Sequence, residues 1–540
     1  MMKRTSPKPA AGPSRRDFLA ASVAGGVGVL GVSRLAAAQA AVAVEGATHI
    51  GSRRELFIDR ALVASLNGGA AQRMHRPVAR EVSLEHDAPW EGSGCGYHNV
   101  FHDGEKYRMY YNGRHLEVLE GGRLSVDRHP YYLCYAESDD GIAWRKPDLG
   151  RVAFEGSTKN NIVMQAGPVG GVEADAAHAA VFMDDNPNAP ADARFKAIIL
   201  SAKPLGLWPF KSADGFEWTP MRGEPMLQGR GAFDSQNLAF WDPTIGQYRA
   251  YWRTFTEGVT TTDEWKPAGI RAIRTATSDD MIHWGPHTDL TYADSPDEQL
   301  YTNQIKPYHR APHILVGFPA RYIERGWSQS MRDLPNLEGR EMRASSQERY
   351  GTALSDTLLM ASRDGHHFTR WNEAFLPPGP ERPDTWHYGQ VFTAWHAVET
   401  PSALPGAPNE LSLYSLEGMW HGAGSTLRRY TLRLDGFVSI NAPASGGEVV
   451  TTPITFDGAA LHLNFATSAA GGLRVELQTP DGQAIAGHGL ADSDELFGDS
   501  VDRTVTWRGN GDVGALAGQA VRLRVAMHDA DLYAYWFGEA

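Results

Sequence analysis

A seven-residue motif, S-x-D-G-x-x-W, returns along this chain at long and fairly even intervals, and it constrains the fold more strongly than any other feature. It is complete at residues 138–144 and 212–218. Residues 278–284 keep all of it but the glycine, residues 362–368 end in Phe instead of Trp, and residues 435–437 form an eroded fifth copy. The aspartates at its third position are 66 to 84 residues apart. Repeats of this kind define the architecture of a protein more strongly than any single residue does.

Each copy of the motif has the chemistry of a tight turn closed by a buried ring. In an Asp-Gly pair, glycine supplies a positive φ and the Asp side chain accepts hydrogen bonds from nearby backbone N–H groups. The aromatic ring three residues later would bury roughly 150–250 Å² against its neighbours. We therefore interpret the motif as a repeated structural turn rather than as a ligand-binding motif.

Strands can be placed between these turns in the same order in every repeat. In the first repeat, residues 97–101, 107–111 and 131–136 form strands A, B and C, and the Asp140-Gly141 turn leads to strand D. Four-stranded units repeated about a centre make a β-propeller. We predict an all-β chain in which residues 39–444 form a five-bladed β-propeller.

Beyond Gly446 and Gly447 the repeat stops and a new period-2 alternation of apolar and polar residues begins. Such strands, separated by turn signals, predict a C-terminal β-sandwich over residues 445–540, a support or carbohydrate-contacting module. At the other end of the chain, residues 59–66 are expected to form one helix, with Asp59 as its N-cap.

The N-terminus has the pattern of an export signal. Arg15 and Arg16 lie in S-R-R-D-F-L, a twin-arginine motif, and residues 20–32 form a short apolar segment before a possible A-x-A cleavage site at residues 36–38. The apolar segment is shorter than the ~20 residues that span a bilayer. We predict a signal peptide over residues 1–38 and a periplasmic or secreted protein with no membrane contact after cleavage.

Charge and cysteine content exclude further classes of function. A formal net charge of −13 argues against a nucleic-acid or anionic-membrane partner. The two cysteines, Cys95 and Cys134, are too few for a disulfide framework and are expected to be free and buried. No zinc-protease motif, cysteine cluster, nucleophile elbow or phosphate-binding glycine loop occurs, so no metal or cofactor is expected.

Strand direction divides the predicted propeller into two faces. The starts of A strands and the ends of B strands share one face, here called the cleft face, and the Asp-Gly turns lie on the other, the turn face. Acidic residues precede three consecutive A strands on the cleft face: Glu91, Asp175 (or Glu173) and Asp234. Glycoside hydrolysis needs paired carboxylates of this kind, and a third can tune their pKa values. We predict Glu91 as base or nucleophile, Asp175 as modulator and Asp234 as general acid.

Other polar residues on the cleft face are candidates for substrate binding. Arg114, Arg253 and Arg321 are each expected where a B strand ends, and together they could bind a carboxylate or sulfate. Asn303, Gln304, His387 and Tyr388 lie before the later A strands. Insertions at residues 115–130, 255–268 and 324–350 would wall this cleft.

Several segments resemble the five-bladed propeller glycoside hydrolases, the superfamily that includes invertases, levansucrases and arabinanases. Within it, they most resemble secreted bacterial proteins described as invertase-like glycosyl hydrolases. The resemblance covers nearly the whole mature chain. It implies an Asp on blade 1, an Asp on blade 2 and a Glu acid on blade 3, where this chain has Glu91 and Asp234 on blades 1 and 3. The segments are residues 54–59 (R-E-L-F-I-D), 87–92 (D-A-P-W-E-G), 134–138, 231–237 (G-A-F-D-S-Q-N), 301–304 (Y-T-N-Q) and 429–437.

The sequence therefore predicts an exported glycoside hydrolase that cleaves an oligo- or polysaccharide by carboxylate acid/base catalysis in the central propeller cleft. Two alternatives stay open. The repeated motif resembles the Asp-box of sialidases, and the three arginines resemble their arginine triad, which would indicate hydrolysis of an acidic sugar. The protein could also be a carbohydrate-binding propeller without catalysis, since fold alone does not establish activity.

Overall fold

The computed structural model describes residues 46–539, apart from residues 230, 262–263, 384 and 421–423. The described residues form one compact unit, whose regular secondary structure is almost entirely β. The predicted signal peptide, residues 1–38, lies outside the described residues. Within the described part of the chain, no helix is long and apolar enough to cross a membrane.

Five antiparallel sheets follow one another along the chain as the blades of a propeller, which confirms the predicted fold class. Their principal strands, in the order A to D, are as follows. Blade 1 has Gly96–His102, Tyr107–Gly113, Tyr132–Ser138 and Ile162–Gln165. Blade 2 has Val172–Met183, Phe195–Ala202, Leu205–Ser212 and Thr219–Pro220, with Gly167–Val169 paired beside strand A. Blade 3 has Leu238–Asp242, Gln247–Thr260, Trp265–Ser278 and Thr288–Asp289.

The last two blades are less regular. In blade 4, strand A is Lys306–Tyr308, and strand B is divided into Ala311–Gly317 and Ala320–Glu324. Strands C and D are Ala353–Ser362 and His367–Leu376. Two short strands, Thr291–Ala293 and Gln299–Leu300, lie at the edges of this blade. Blade 5 has Val398–Thr400, Glu410–Glu417 and Thr426–Arg433, and its fourth strand is Val78–Glu85 from the beginning of the fold. This N-terminal strand closes the ring, and blades 5 and 1 meet at the centre through a parallel bridge between Trp395 and Asn99.

A separate sheet combines the C-terminal strands with strands from the start of the fold. Its members are Glu55–Leu56, Val63–Gly68, Ala71–Met74, Val438–Ala442, Gly447–Thr451, Ala460–Gln478, Asp499–Thr504 and Arg522–Gly538. A short parallel pair, Thr48–Gly51 with Ile454–Phe456, lies beside it. The predicted helix over residues 59–66 is therefore wrong, because residues 59–62 form bends and turns and Val63–Gly68 pairs as a strand with Gly447–Thr451. The boundary at residues 444/445 stays a prediction.

The predicted insertions on the cleft face have structure of their own. Blade 3 extends strands B and C into a long hairpin, and a two-stranded ribbon, Glu117–Val118 with Leu124–Ser125, follows strand B of blade 1. In blade 4 the insertion forms three short helices, Gln329–Asp333, Leu337–Ala344 and Glu348–Thr352. Cys95 and Cys134 are free and buried, as predicted.

The repeated motif forms the same hydrogen-bonded turn in four blades. In the first copy, Asp140 Oδ1 accepts hydrogen bonds from Ser138 Oγ (2.8 Å) and from the N–H groups of Ile142 (2.8 Å) and Ala143 (2.9 Å). Ser138 Oγ in turn accepts a bond from Gly141 N–H at 2.9 Å. Asp214, Asp280 and Asp364 repeat the pattern. The interpretation of the motif as a structural turn is confirmed.

The turns also join neighbouring blades. Tyr414 on blade 5 donates a hydrogen bond to the carbonyl of Gly141, and Tyr251 on blade 3 donates one of 2.7 Å to the carbonyl of Gly365. Gly215 has a φ of 86° and lies so close to the Tyr110 hydroxyl that a Cβ would overlap it. Each of these three turns thus contacts a tyrosine on strand B of the preceding blade.

We expect Asp214→Ala to lower the free energy of unfolding by about 1–2 kcal/mol, because it removes the acceptor for two backbone N–H groups and one hydroxyl. Asp192→Ala is the matched control, since its carboxylate makes an exposed ion pair with Lys211 whose loss should change the stability little. Urea denaturation measures both values. Equal stability of the two variants would show that the turn contributes nothing.

Glu55 links the C-terminal sheet to blade 4 and should make stability depend on pH. Its carboxylate is buried and bonds with Arg53 (2.7 Å), Arg363 (2.8 Å) and His313 (3.2 Å). Burial acts to raise the pKa of Glu55, but the bond from His313 and the charge of Arg363 prevail and lower it from 4.5 to about 2. A depressed pKa stabilises the fold above the unfolded value of 4.5, and this contribution is lost as the pH falls toward 2.

We therefore expect Glu55→Gln to be less stable than the wild type at pH 7 by on the order of 3 kcal/mol. The difference between the two proteins should shrink as the pH falls below 4.5, because the wild-type carboxylate then becomes neutral as well. Denaturant titrations of both proteins between pH 7 and pH 3 measure this convergence. A difference that does not change with pH would contradict the assignment.

Candidate functional site

The candidate site lies at the mouth of the central channel on the cleft face, where the A strands begin. In blade 2 the pairing of strand A with strand B is irregular between Asp175 and Ala180. The local backbone is held by Asp175 itself, whose Oδ1 accepts a hydrogen bond of 2.8 Å from the N–H group of Ala177. Its other oxygen, Oδ2, lies 2.8 Å from Nδ1 of the largely buried His178. The irregular segment therefore forms a carboxylate–imidazole pair.

The second carboxylate, Asp234, lies before strand A of blade 3. Its Oδ1 forms an ion pair with Arg253, which comes from strand B of the same blade and has only 4% of its side chain exposed. Asp234 itself is 57% exposed, so its carboxylate faces open space on one side and a buried cation on the other. The segment is fixed by a backbone hydrogen bond of 2.8 Å from Ala232 to Arg253.

The electrostatics keep both carboxylates ionised. Burial acts to raise the pKa of Asp234, but the charges of Arg253 and His178 and the bond from Arg253 lower it below its ordinary value. For Asp175, burial is likewise opposed and outweighed by His178, the Ala177 N–H group and Arg114, which lower its pKa. His178 thus acts on both acids and connects blades 2 and 3 electrostatically.

Three tyrosines surround these acids. The ring of Tyr97 lies 5.6 Å from that of His178, and the guanidinium of Arg253 lies 4.8 Å from the centre of the Tyr301 ring. Tyr388 donates a hydrogen bond of 2.9 Å from its hydroxyl to that of Tyr301. Burial acts to raise the pKa of Tyr301, but Arg253 and the bond from Tyr388 lower it below its ordinary value. Burial raises the pKa of Tyr388, which stays protonated as the donor.

Arg114 lies beside the same group. It follows strand B of blade 1, and its Nε donates a hydrogen bond of 3.2 Å to the carbonyl of Gly94. Burial acts to lower the pKa of Arg114, but Tyr97 and Tyr131 raise it above its ordinary value. The guanidinium stays charged among neutral aromatic rings and can attract a polar or anionic substrate group.

Glu91 does not join this group. Its side chain is fully buried, and Oε1 accepts a hydrogen bond of 2.6 Å from Tyr111. Oε2 accepts one of 2.9 Å from the N–H group of Ala88 and forms an ion pair of 2.7 Å with Lys146. Its polar partners lie within and around blade 1, so the geometry gives no support to the role of base or nucleophile that the sequence predicts for it.

Arg321 also lies apart from the two acids. Arg321 forms ion pairs with Asp356 (2.6 Å) and Glu298 (2.8 Å). The next residue, Tyr322, faces the site instead, with its ring 5.9 Å from that of Tyr301. Glu173 is exposed on strand A of blade 2. The three arginines therefore do not converge as the predicted triad.

The remaining predicted residues, Asn303, Gln304 and His387, are buried. Asn303 accepts a hydrogen bond from the N–H group of Ile305, and His387 bonds the carbonyl of Tyr388. Gln304 donates hydrogen bonds to Gln236 (2.9 Å) and to the carbonyl of Thr393 (2.7 Å). Gln236 continues the series to Asn99 at 3.1 Å. We call the series formed by Asn99, Gln236 and Gln304 the amide network, and it crosses the centre of the propeller.

Sequence reasoning missed His178, Tyr97 and Tyr301. The spacing Asp175-x-x-His178 indicates His178, because an Asp and a His three residues apart at an irregular strand start can form a hydrogen bond with each other. Tyr301 is the first residue of the Y-T-N-Q segment, in which the sequence predicts only Asn303 and Gln304 as substrate-binding residues. Among the described residues, one group of three potential metal ligands, Asp364, His366 and His367, has atoms within 4.8 Å of one another, and it belongs to the blade 4 turn on the other face.

No protein-family model matches the sequence, and no curated protein matches it. Among solved structures, it is similar to a complex of BT0996 with RGII, with 14% identity, a TM-score of 0.42, and 67% of this protein and 92% of the other covered. It is similar to the Bombyx mori GH32 β-fructofuranosidase BmSUC1, with 10% identity, a TM-score of 0.35 and coverage of 86% and 94%. It is also similar to Zg3597 of Zobellia galactanivorans, a family 117 glycoside hydrolase, with 12% identity, a TM-score of 0.35 and coverage of 67% and 90%.

Proposed function

We propose that the protein is an exported glycoside hydrolase whose reaction takes place at the cleft-face mouth of the propeller channel. The observation that carries this proposal is that two ionised carboxylates from adjacent blades interact with one imidazole, His178: Asp175 lies within hydrogen-bonding distance of it, and the charge of His178 lowers the pKa of Asp234. Hydrolysis of a glycosidic bond needs a carboxylate on one side of the sugar and a proton donor for the leaving oxygen on the other.

The environments of the three groups favour distinct roles. Asp234 is held ionised by Arg253 and faces the open cleft, so it acts as the nucleophile or as the base that activates water. His178 acts as the proton donor in its imidazolium form: its Nε2–H protonates the glycosidic oxygen as the bond between that oxygen and the anomeric carbon breaks, and the ring is left neutral. Asp175 acts as a positioning residue, because its Oδ2 accepts the Nδ1–H bond and so fixes the orientation of the ring. The sequence predicts Asp234 as the general acid, but we assign that role to His178. The lowered pKa of Asp234 suits a base or nucleophile better than an acid.

The rings and cations around the acids supply the binding surface. Tyr97, Tyr301 and Tyr388 can pack on the apolar face of a sugar, while Arg114 orients a hydroxyl or carboxylate. The sialidase-like alternative receives less support, because Arg321 lies in an ion-pair network away from the acids. Export by the twin-arginine pathway to the periplasm or beyond is part of the proposal, and it matches a polysaccharide substrate outside the cytoplasm.

The test is a screen of sugars released from plant and microbial glycans, run with purified wild type and with His178→Gln. We expect release of a sugar from at least one glycan, with a loss of about 10²–10⁴-fold in His178→Gln, the range for removal of a general acid. A substrate with a good phenolate leaving group needs less protonation and should lose much less, a difference that a structural defect would not produce. Binding without turnover on every glycan would instead favour the carbohydrate-binding propeller.

A further inference from the structure

A cavity of about 630 Å³ lies on the turn face, at the end of the channel opposite the candidate site. It is lined where the A strands end, by the rings of Trp241, Tyr308 and Phe437 and by the polar side chains of Gln304, Lys306 and His396. Small-molecule sites are typically concave, about 300–1,000 Å³ in volume, and aromatic with a few polar groups. The amide network, to which Gln304 belongs, separates this cavity from the cleft.

Two of the lining side chains have unused hydrogen-bonding capacity. His396 is 95% buried, and neither of its ring nitrogens has a partner among the described residues. The carbonyl oxygen of Gln304 is also buried without a partner there, although its amide nitrogen is bonded twice. Burial of polar groups without partners costs free energy, so such groups in a native fold need an explanation. A ligand in the cavity would supply one.

The backbone at His396 supports this interpretation. Its φ of 87° lies in the left-handed region that residues with a side chain seldom adopt, and its ring stacks on Trp395 at 4.2 Å. Strain of this kind tends to occur at ligand-binding positions. Burial, with Lys306 nearby, lowers the pKa of His396, so the ring is neutral and offers one donor and one acceptor.

The charges around the cavity are already matched within the protein. Lys306 lies 3.7 Å from Asp185. Glu399 lies 3.3 Å from His309 and 3.8 Å from Arg310, and it accepts a hydrogen bond of 2.9 Å from Asn409. An ionic ligand would therefore find no unmatched charge. Hydroxyl groups both donate and accept, which suits the donor and acceptor of His396 and the acceptor of Gln304.

We propose that the turn-face cavity is a second binding site, separate from the cleft, for a neutral mono- or disaccharide. The aromatic rings pack against the apolar face of the sugar, and its hydroxyl groups satisfy His396 and Gln304. The proposal does not depend on hydrolysis at the cleft, because the two sites share no reacting group. A secreted carbohydrate-active protein with this site would hold a sugar at each end of the channel.

The test is saturation-transfer difference NMR with D-glucose, D-galactose, L-arabinose, D-xylose and sucrose, each titrated to about 50 mM, where a site with a Kd near 1 mM is nearly saturated. The host protein is Asp234→Asn, which prevents turnover of the disaccharide. Ala397→Phe, added to this host, fills the cavity without removing a polar group, and Tyr388→Ala, added instead, alters the cleft. Melting temperatures show whether each variant folds. Trp241→Leu, a smaller change in the same wall, replaces Ala397→Phe if the latter does not fold.

We expect at least one neutral sugar to give a saturable signal that falls at least about tenfold in Ala397→Phe and persists in Tyr388→Ala. D-glucuronate and D-glucosamine should not bind in the cavity. The proposal would be overturned if no neutral sugar binds, if binding is lost only in Tyr388→Ala, or if the charged sugars bind the cavity as well as the neutral ones.

Discussion

Asp234→Asn should reduce hydrolysis of the substrate identified by the screen by at least about 10³-fold, the scale expected when a side chain that takes part in the chemical step is removed. The carboxylate lies at the start of blade 3, exposed to the cleft and held ionised by Arg253. The amide has the same shape and can still accept a hydrogen bond from Arg253. It cannot attack an anomeric carbon or accept a proton from water, so the loss should appear in kcat more than in KM.

The matched control is Asp356→Asn, which removes a carboxylate from another arginine of the propeller. Asp356 bonds Arg321 at 2.6 Å and 2.9 Å, and Arg321 keeps Glu298 as a second partner. Both variants lose one charge opposite a partly or fully buried guanidinium, and the loss of stability should be smaller for Asp234→Asn, because solvent screens its 57% exposed carboxylate whereas that of Asp356 is 13% exposed. Activity should fall in Asp234→Asn alone. If both variants lose activity in parallel with their melting temperatures, Asp234 acts through stability and not through chemistry.

Glu91→Gln should have its largest effect on stability. The fully buried carboxylate accepts bonds from Tyr111 and the Ala88 N–H group and forms an ion pair with Lys146. Replacing one carboxylate oxygen by an NH₂ group removes the negative charge that pairs with Lys146. It also places a hydrogen-bond donor next to groups that are themselves donors. We expect a loss of about 2–4 kcal/mol in the free energy of unfolding, measured by denaturant titration. The folded fraction should keep its activity within a few-fold.

This experiment separates the two roles that can be assigned to Glu91. A base or nucleophile would lose activity by orders of magnitude while the protein stayed folded. A side chain that holds blade 1 together would lose stability first. A Glu91→Gln protein with wild-type stability and no activity would restore the catalytic role predicted from the sequence. Lys146→Met gives an independent check, because it should destabilise the fold by leaving Glu91 without its cation and should also spare activity.

Local chemistry explains why the blades could be predicted from the sequence. The Ser, Asp and Gly of each motif bond one another within a few residues, so the turn forms wherever the motif occurs. Strands A to C of blade 1 were placed to within about two residues because apolar alternation is also a local signal. Strand D of blade 1 was not, because it begins at Ile162, well beyond the turn. The fourth strand of blade 5 comes from Val78–Glu85, a pairing that joins distant parts of the sequence.

The sequence by itself determined that the chain repeats, where each repeat turns, and which face Asp175 and Asp234 share, because these depend on residues close together in the sequence and on strand direction. Only the tertiary structure decided which side chains meet. Lys146, 55 residues further along the chain, forms an ion pair with Glu91. At the end of strand B of blade 4, Tyr322 faces the site, whereas Arg321 forms ion pairs elsewhere. Successive side chains of a strand point to opposite sides, so a single residue of register separates a side chain that faces the site from one that forms a structural ion pair.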